Sequence, residues 1–394
     1  MLKRPIYLDN AATTPVDPRV VAKMLPWLGE EFGNPASTTH VYGQRAREAV
    51  ELARDQVAAL VHADPREIIW TSGATESNNL ALKGAAHAYH GKGRHLVTVA
   101  TEHKAVLDTV RELERLGFEA TVLAPGADGL LDPDRFRDAL RPDTVVASVM
   151  LVNNEIGVIQ DIAALGAICR ERGVIFHVDA AQATGKVAID LATLPVDIMS
   201  LTAHKTYGPK GIGARYVARD RRLRLEPQMH GGGHERGLRS GTLATHQIVG
   251  MGECYRIAQE EMATEIPRLK AMRDRIHDAL AALPEVRVNG SMERRVANNL
   301  NVSLALPDCD GLATSLTDIA VSATSACSSG GAAPSHVLQA LGHDEALAGN
   351  ALRISVGRFN TDAEVDFAID YLLGRIEACR RQIPGERGAV SGKR

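Results

Sequence analysis

No stretch of this sequence strings together the ~18 apolar residues that a membrane-crossing helix needs. The opening "MLKRPIYLDN" lacks the apolar core of a secretory leader. Cysteine is scarce and scattered: Cys169, Cys254, Cys309, Cys327 and Cys379 include no C-x-x-C pair. An odd set so spaced argues against a disulfide framework and a structural zinc site, and a reducing cytoplasm is the expected home. A surplus of one charge is missing too. The 45 basic and 48 acidic residues leave a formal net charge of −3, so nucleic acid is not an expected ligand. No internal repeat is present. Gly208, Gly211 and Gly213 read G-x-x-G-x-G, which is neither the dinucleotide fingerprint nor the P-loop.

What is there is ordinary for a soluble globular protein: 394 residues, 45% apolar and 24% charged, enough for two or three domains. Short β-branched runs ("EIIWT", "HLVTVA", "TVVASVMLV", "GVIFHV", "VDIMSL") alternate with amphipathic helical patterns. That alternation predicts a mostly parallel sheet covered by helices. Near Gly252 the texture changes. A helical pattern carries Ile266, Leu269, Met272, Ile276 and Leu280, with Pro267 tolerable near its start. Strand candidates "NNLNVSLAL" and "LRISVG" follow. We expect a large domain over 16–260, a smaller α+β domain over 261–379 joined by the segment 1–15, and a disordered tail over 380–394.

In an open α/β sheet, ligands bind beyond the carboxyl ends of the strands. After "EIIWT", Ser72 and Gly73 turn the chain and a helix starts near Thr75, whose free N–H groups suit an anion or merely form a cap. His103 follows "HLVTVA"; Asn153, Asn154 and Glu155 follow "VASVMLV". Asp179 closes a very apolar strand, with Gln182 three residues on, and a buried carboxylate needs a partner. Thr202, His204 and Lys205 follow "VDIMSL", where Lys205 is either a surface lysine near a turn or a lysine placed for chemistry. Each signal is weak by itself. Together they supply the parts of a pyridoxal phosphate (PLP) site: a lysine, a carboxylate for the ring nitrogen and a helix N-terminus for the phosphate.

With these residues in place, the sequence resembles the IscS/NifS-type cysteine desulfurases, fold type I PLP enzymes of the class V aminotransferase family. The resemblance runs through "YLDNAATTPVDP", "EFGNPAS", "TSGATES", "TEHKAVLDT", "VNNEIGV", "HVDAAQ", "AHKTYGPKGIG", "HGGGHERGLRSGT", "SACSS" and "LRISVGRFN". It implies an aspartate-aminotransferase-like α/β fold with a mostly parallel seven-stranded sheet. Lys205 would form the Schiff base with PLP, Asp179 would hold the pyridinium proton and Gln182 would bond the phenolic oxygen. His103 would stack on the ring as an acid/base, with Asn154 beside the ring and the substrate. Ala74, Thr75, Thr202 and His204 would bind phosphate, and Thr242 would reach the other site of a homodimer. Arg353 would grip the carboxylate of L-cysteine. Cys327 would take the substrate sulfur as a persulfide, releasing L-alanine, for a sulfur-acceptor protein such as an iron–sulfur scaffold and for tRNA thiolation. No resident metal is required, though Cys327 is a candidate transient iron–sulfur ligand.

The residues around Cys327, "SATSACSSGGAAPS", are nearly all small, so a cysteine there can be exposed and can swing. A buried, inert reading suits the other four cysteines. Thr324 stands where the family commonly has glycine, and "RRQIPGERGAVSGKR" lacks the aromatic and acidic character of the family's scaffold-binding tail. A selenocysteine lyase or another fold type I enzyme is the alternative, separable by product and substrate. A colourless sulfur or metal carrier is a further one. "HGGGHERG" spaces His230 and His234 four apart, but three glycines argue against a helical metal pair and for a loop near the dimer contact.

Overall fold

The chain opens on a short strand, β1 (Ile6–Tyr7), followed by helices α1 (Pro18–Met24) and α2 (Val41–Val61). The structure is a computed structural model and describes residues 2–219, 223–305, 312–323 and 334–382. Seven strands come next: β2 (Ile68–Thr71), β3 (His95–Val99), β4 (Glu119–Leu123), β5 (Thr144–Ser148), β6 (Ile175–Asp179), β7 (Ile198–Thr202) and β8 (Gly213–Val217). They form one sheet in the order β2-β8-β7-β6-β5-β3-β4. Neighbours from β7 to β4 are parallel, and β8 runs antiparallel to both β7 and β2. This is the mostly parallel seven-stranded sheet that the resemblance implies.

The sequence explains which strands sit inside. Every residue of β2, β3, β5, β6 and β7 is buried, as a strand covered on both faces requires. β4, at the sheet edge, exposes Glu119 and Val122. Helices α3 (Ala74–Tyr89), α4 (Lys104–Arg115), α5 (Pro133–Ala139) and α6 (Ile162–Arg172) cover the sheet. Val50, Val57, Trp70, Phe136 and Phe176 are among the residues of the core on one side.

Helix α7 (Thr245–Ala281) spans 37 residues. The expected helix start near Ile266 is therefore corrected: Pro267 lies well inside. Ile248, Met251, Cys254, Tyr255 and Ile257 bury the first part of the helix in the main core, while Leu269, Met272, Ile276 and Leu280 bury the second part in another. Burial on both sides offsets the one N–H bond that proline removes. Beyond it come β9 (Val286–Val288), β10 (Asn299–Leu304), α8 (Leu312–Ser315), β11 (Ile319–Ala320), β12 (Ser322–Ala323), α9 (His336–Ala340), α10 (Glu345–Gly349), β13 (Ala351–Ser355) and α11 (Asp362–Gln382). A second sheet, β12-β13-β10-β9, is antiparallel. β1 pairs with β11, and Ile6 and Leu8 join the second core. The tail expected from residue 380 starts within α11, and residues 383–394 lie outside the described ones.

Candidate active site

The carboxyl ends of the parallel strands open on a cleft of about 480 Å³. It is lined by Ala74, Thr75, His103, Asn154, Asp179, Gln182, Thr202, His204 and Lys205, so nine residues singled out from the sequence meet in one place. Ser72, Gly73, Asn78, Lys210 and Gly211 share the lining.

One end of the cleft suits an anion. Gly73 caps α3 with a φ of 148°, a conformation that only glycine adopts readily. A Cβ there would meet nothing within 4 Å, so the backbone borders open space. The first turn of α3 presents N–H groups and the positive end of its dipole to that space. Thr202 ends β7 on the other side, and Lys210 adds positive charge. His204 stays neutral: burial, then Lys205, Lys210 and Lys186, bring its pKa down to about 4.

The opposite wall is acidic. Asp179, 3% exposed at the end of β6, accepts hydrogen bonds from Asn78 Nδ2 at 2.7 Å and from the Ala181 N–H at 2.9 Å. No cation lies within ion-pair distance of it among the described residues. A carboxylate so held has room for one more donor, and a protonated ring nitrogen would supply it. Below it, neutral His177 bridges Ser148 Oγ at 2.8 Å and Ser200 Oγ at 3.0 Å. Burial brings the His177 pKa down to about 4; Asp179 opposes this and Arg215 adds to it.

Lys205 has no hydrogen bond or ion pair from its amine among the described residues. Burial lowers its pKa, against the pull of Asp179 and with a push from Arg353, which favours the neutral, nucleophilic amine. The turn that carries it is tightly pinned. Tyr207 takes a left-handed φ of 61°, its N–H donates to Thr14 Oγ1 at 2.9 Å, and its hydroxyl accepts from the Arg358 N–H at 2.6 Å. His103 caps α4, its Nδ1 accepting from the Ala105 N–H at 3.1 Å. A backbone N–H can only donate, so the ring proton of neutral His103 sits on Nε2. Burial is the main cause of its lowered pKa, although the side chain is exposed at the cleft mouth of this single chain.

Arg353 stands apart from the cleft lining. Its guanidinium donates to the Asn154 carbonyl at 2.7 Å, Asp9 Oδ1 at 2.8 Å and Ser322 Oγ at 2.7 Å. Arg353 Nε and Asn154 Oδ1 are both buried without a hydrogen-bond partner among the described residues. Thr242 is exposed and lies away from the cleft of its own chain. Cys327 and Cys309 fall outside the described residues. Cys169 and Cys254 are fully buried on α6 and α7, where desolvation raises both thiol pKa values, and Cys379 is half-buried.

The sequence reading passed over Asn78, Asp9, Glu102 and Lys186. Asn78 lies one turn into the helix after "TSGAT", and Lys186 lies four residues past Gln182; both spacings were available. Glu102 is buried, with Oε1 accepting from the Met150 N–H at 2.6 Å, and burial raises its pKa well above the usual carboxylate range.

The family model for class-V aminotransferases matches residues 6–367. The chain is 63% identical over 384 residues to "Cysteine desulfurase IscS" of Methylobacillus flagellatus, covering 97% of this chain and 95% of that one. It is likewise 63% identical over 383 residues to the protein of the same name from Methylococcus capsulatus, with the same coverage. A solved "NifS-like protein" superposes with a TM-score of 0.88 at 34% identity, over 95% of this chain and 100% of that one. "SspA in complex with cysteine" superposes with a TM-score of 0.81 at 38% identity, over 90% and 100%.

Proposed function

This chain belongs to the class-V aminotransferase family, and from that premise we propose that it is a PLP-dependent cysteine desulfurase, converting L-cysteine to L-alanine and passing the sulfur to iron–sulfur cluster assembly. One observation carries the reading. Among the described residues, a Lys205 amine without a partner, an Asp179 carboxylate without a cation and the helix N-terminus at Gly73 face one cleft, and these are the three attachments that PLP requires.

Lys205 would hold the cofactor covalently, Asp179 its ring nitrogen, and Ala74, Thr75, Thr202 and His204 its phosphate. Bound PLP supplies an electron sink for the carbanion formed at the substrate Cα. Lys205, whose pKa burial lowers, takes and returns protons at that carbon. His103 is set as a donor at Nε2, because the Ala105 N–H holds Nδ1 as an acceptor. Arg353 binds the substrate carboxylate, which replaces Asp9 on the fork. Cys327 closes the reaction: its thiolate attacks the substrate sulfur, the new S–S bond forms, and the Cβ–S bond breaks. The released electron pair ends as a C–H bond of alanine. Thr242 of each subunit would complete the phosphate site of the other in a homodimer.

The test is product balance. The purified protein with PLP should release alanine from L-cysteine without a keto acid, and a trapped persulfide should map to Cys327. Cys327→Ser should keep the bound cofactor's absorbance and lose the persulfide. A Cys327→Ser protein that accumulates persulfide at the normal rate would sink the reading.

A further inference from the structure

The cleft has a second lysine beside it. Gly185, with a φ of 71°, lets the chain turn back after Gln182, and the Lys186 N–H donates to the Ala183 carbonyl at 2.9 Å. The Lys186 ammonium then donates to Gln182 Oε1 at 3.2 Å, while Gln182 Nε2 donates to the Ala11 carbonyl at 2.7 Å. In its charged form Lys186 can only donate, and the Ala11 carbonyl can only accept, so one orientation of the Gln182 amide satisfies both. Gln182 is 5% exposed and lines the cleft, so its amide meets whatever the cleft holds. The Lys186 side chain makes no other hydrogen bond or ion pair among the described residues. Its amine sits in a positive field: burial, then Lys205 and Arg353, bring its pKa down to about 7, and Glu265 opposes them.

Resting on the cofactor reading above, we propose that Lys186 is a positioning residue for PLP: it locks Gln182 so that the amide nitrogen, not the oxygen, meets an anionic ring oxygen. Nε2 keeps a second hydrogen for that bond. Without Lys186 only the Ala11 carbonyl holds the amide orientation, and a flip would set oxygen against oxygen. A cation this close also disfavours protonation of the cofactor.

Apo protein titrated with PLP, and the visible absorbance of the bound cofactor followed against pH, test this directly. Lys186→Met should bind PLP about fivefold more weakly, the scale of one lost hydrogen bond, and should raise the pH midpoint of the absorbance. Lys186→Arg should restore most of both. If Lys186→Met does not fold, Lys186→Gln carries the same comparison. Wild-type affinity and midpoint in the uncharged variant would overturn the proposal. So would a lower melting temperature with an unmoved midpoint, which is a packing effect. Wild-type protein that takes up no PLP would instead remove the cofactor reading, and the role of Lys186 with it.

Discussion

Asp179 and His177 sit two residues apart on one strand and are held in opposite ways. Asp179 accepts hydrogen bonds from Asn78 and the Ala181 N–H. Asp179→Asn should therefore retain the fold but lower alanine release by about a hundredfold, the usual cost of removing one preorganised electrostatic partner. Unchanged turnover with full cofactor would refute the assignment. His177 is kept neutral, and its pKa near 4 against an ordinary value of 6.5 fixes a sign. Between those values the unfolded chain binds a proton that the fold refuses, so stability falls as pH drops from about 6.5 to about 4. His204 acts in the same direction. Urea midpoints measured across that window should show a shallower loss for His177→Gln than for wild type.

At the scale of elements, the loop around "HGGGHERG" is held by a buried ion pair, and neither histidine is what anchors it. Glu235 receives Arg54 through both oxygens, at 2.9 and 3.0 Å, and accepts the Trp70 N–H at 2.8 Å, tying the loop to α2 and β2. Glu235→Ala leaves the buried Arg54 with only the exposed Glu51 carboxylate, at 3.2 Å, as an ion-pair partner, and thermal unfolding should show a loss of about 2–3 kcal/mol, short of the penalty for a wholly unpaired buried charge. That tie was illegible in the sequence, because nothing local joins residues 54, 70 and 235. Strands β2, β3, β5, β6 and β7 were legible, each being buried on both faces and hence a continuous apolar run. β4 and β8 were not read as strands from their residues: one is a half-exposed edge, and the other carries Arg215 in its middle. Pro267 misplaced the start of α7, since a local rule cannot weigh the burial available on either side. The cleft residues were readable because strand ends place them, whereas Lys186 and Asn78 act through contacts one helical turn away.

At the scale of the molecule, α1, α2 and the chain between them expose Leu25, Leu28, Phe32 and Tyr42, Phe32 at 70%, with the Phe32 and Tyr42 rings 5.4 Å apart. A soluble monomer seldom leaves such a patch bare, and the proposed homodimer would cover it. Sedimentation should give a dimer, and Phe32→Asp should shift it toward monomer while weakening PLP retention, through loss of Thr242 from the opposite cleft. A fully active monomer would remove this arrangement. The second core has a different consequence. Ile6 and Leu8 pack there with residues from Leu269 onward, and β1 pairs with β11. On a ribosome Ile6 and Tyr7 must stay unpaired until about three hundred later residues have emerged, although domains otherwise fold from the N-terminal side first. Nascent chains halted before Ile319 should carry a finished main sheet and a protease-sensitive β1, and the smaller core should close only once β11 has been made and can receive it.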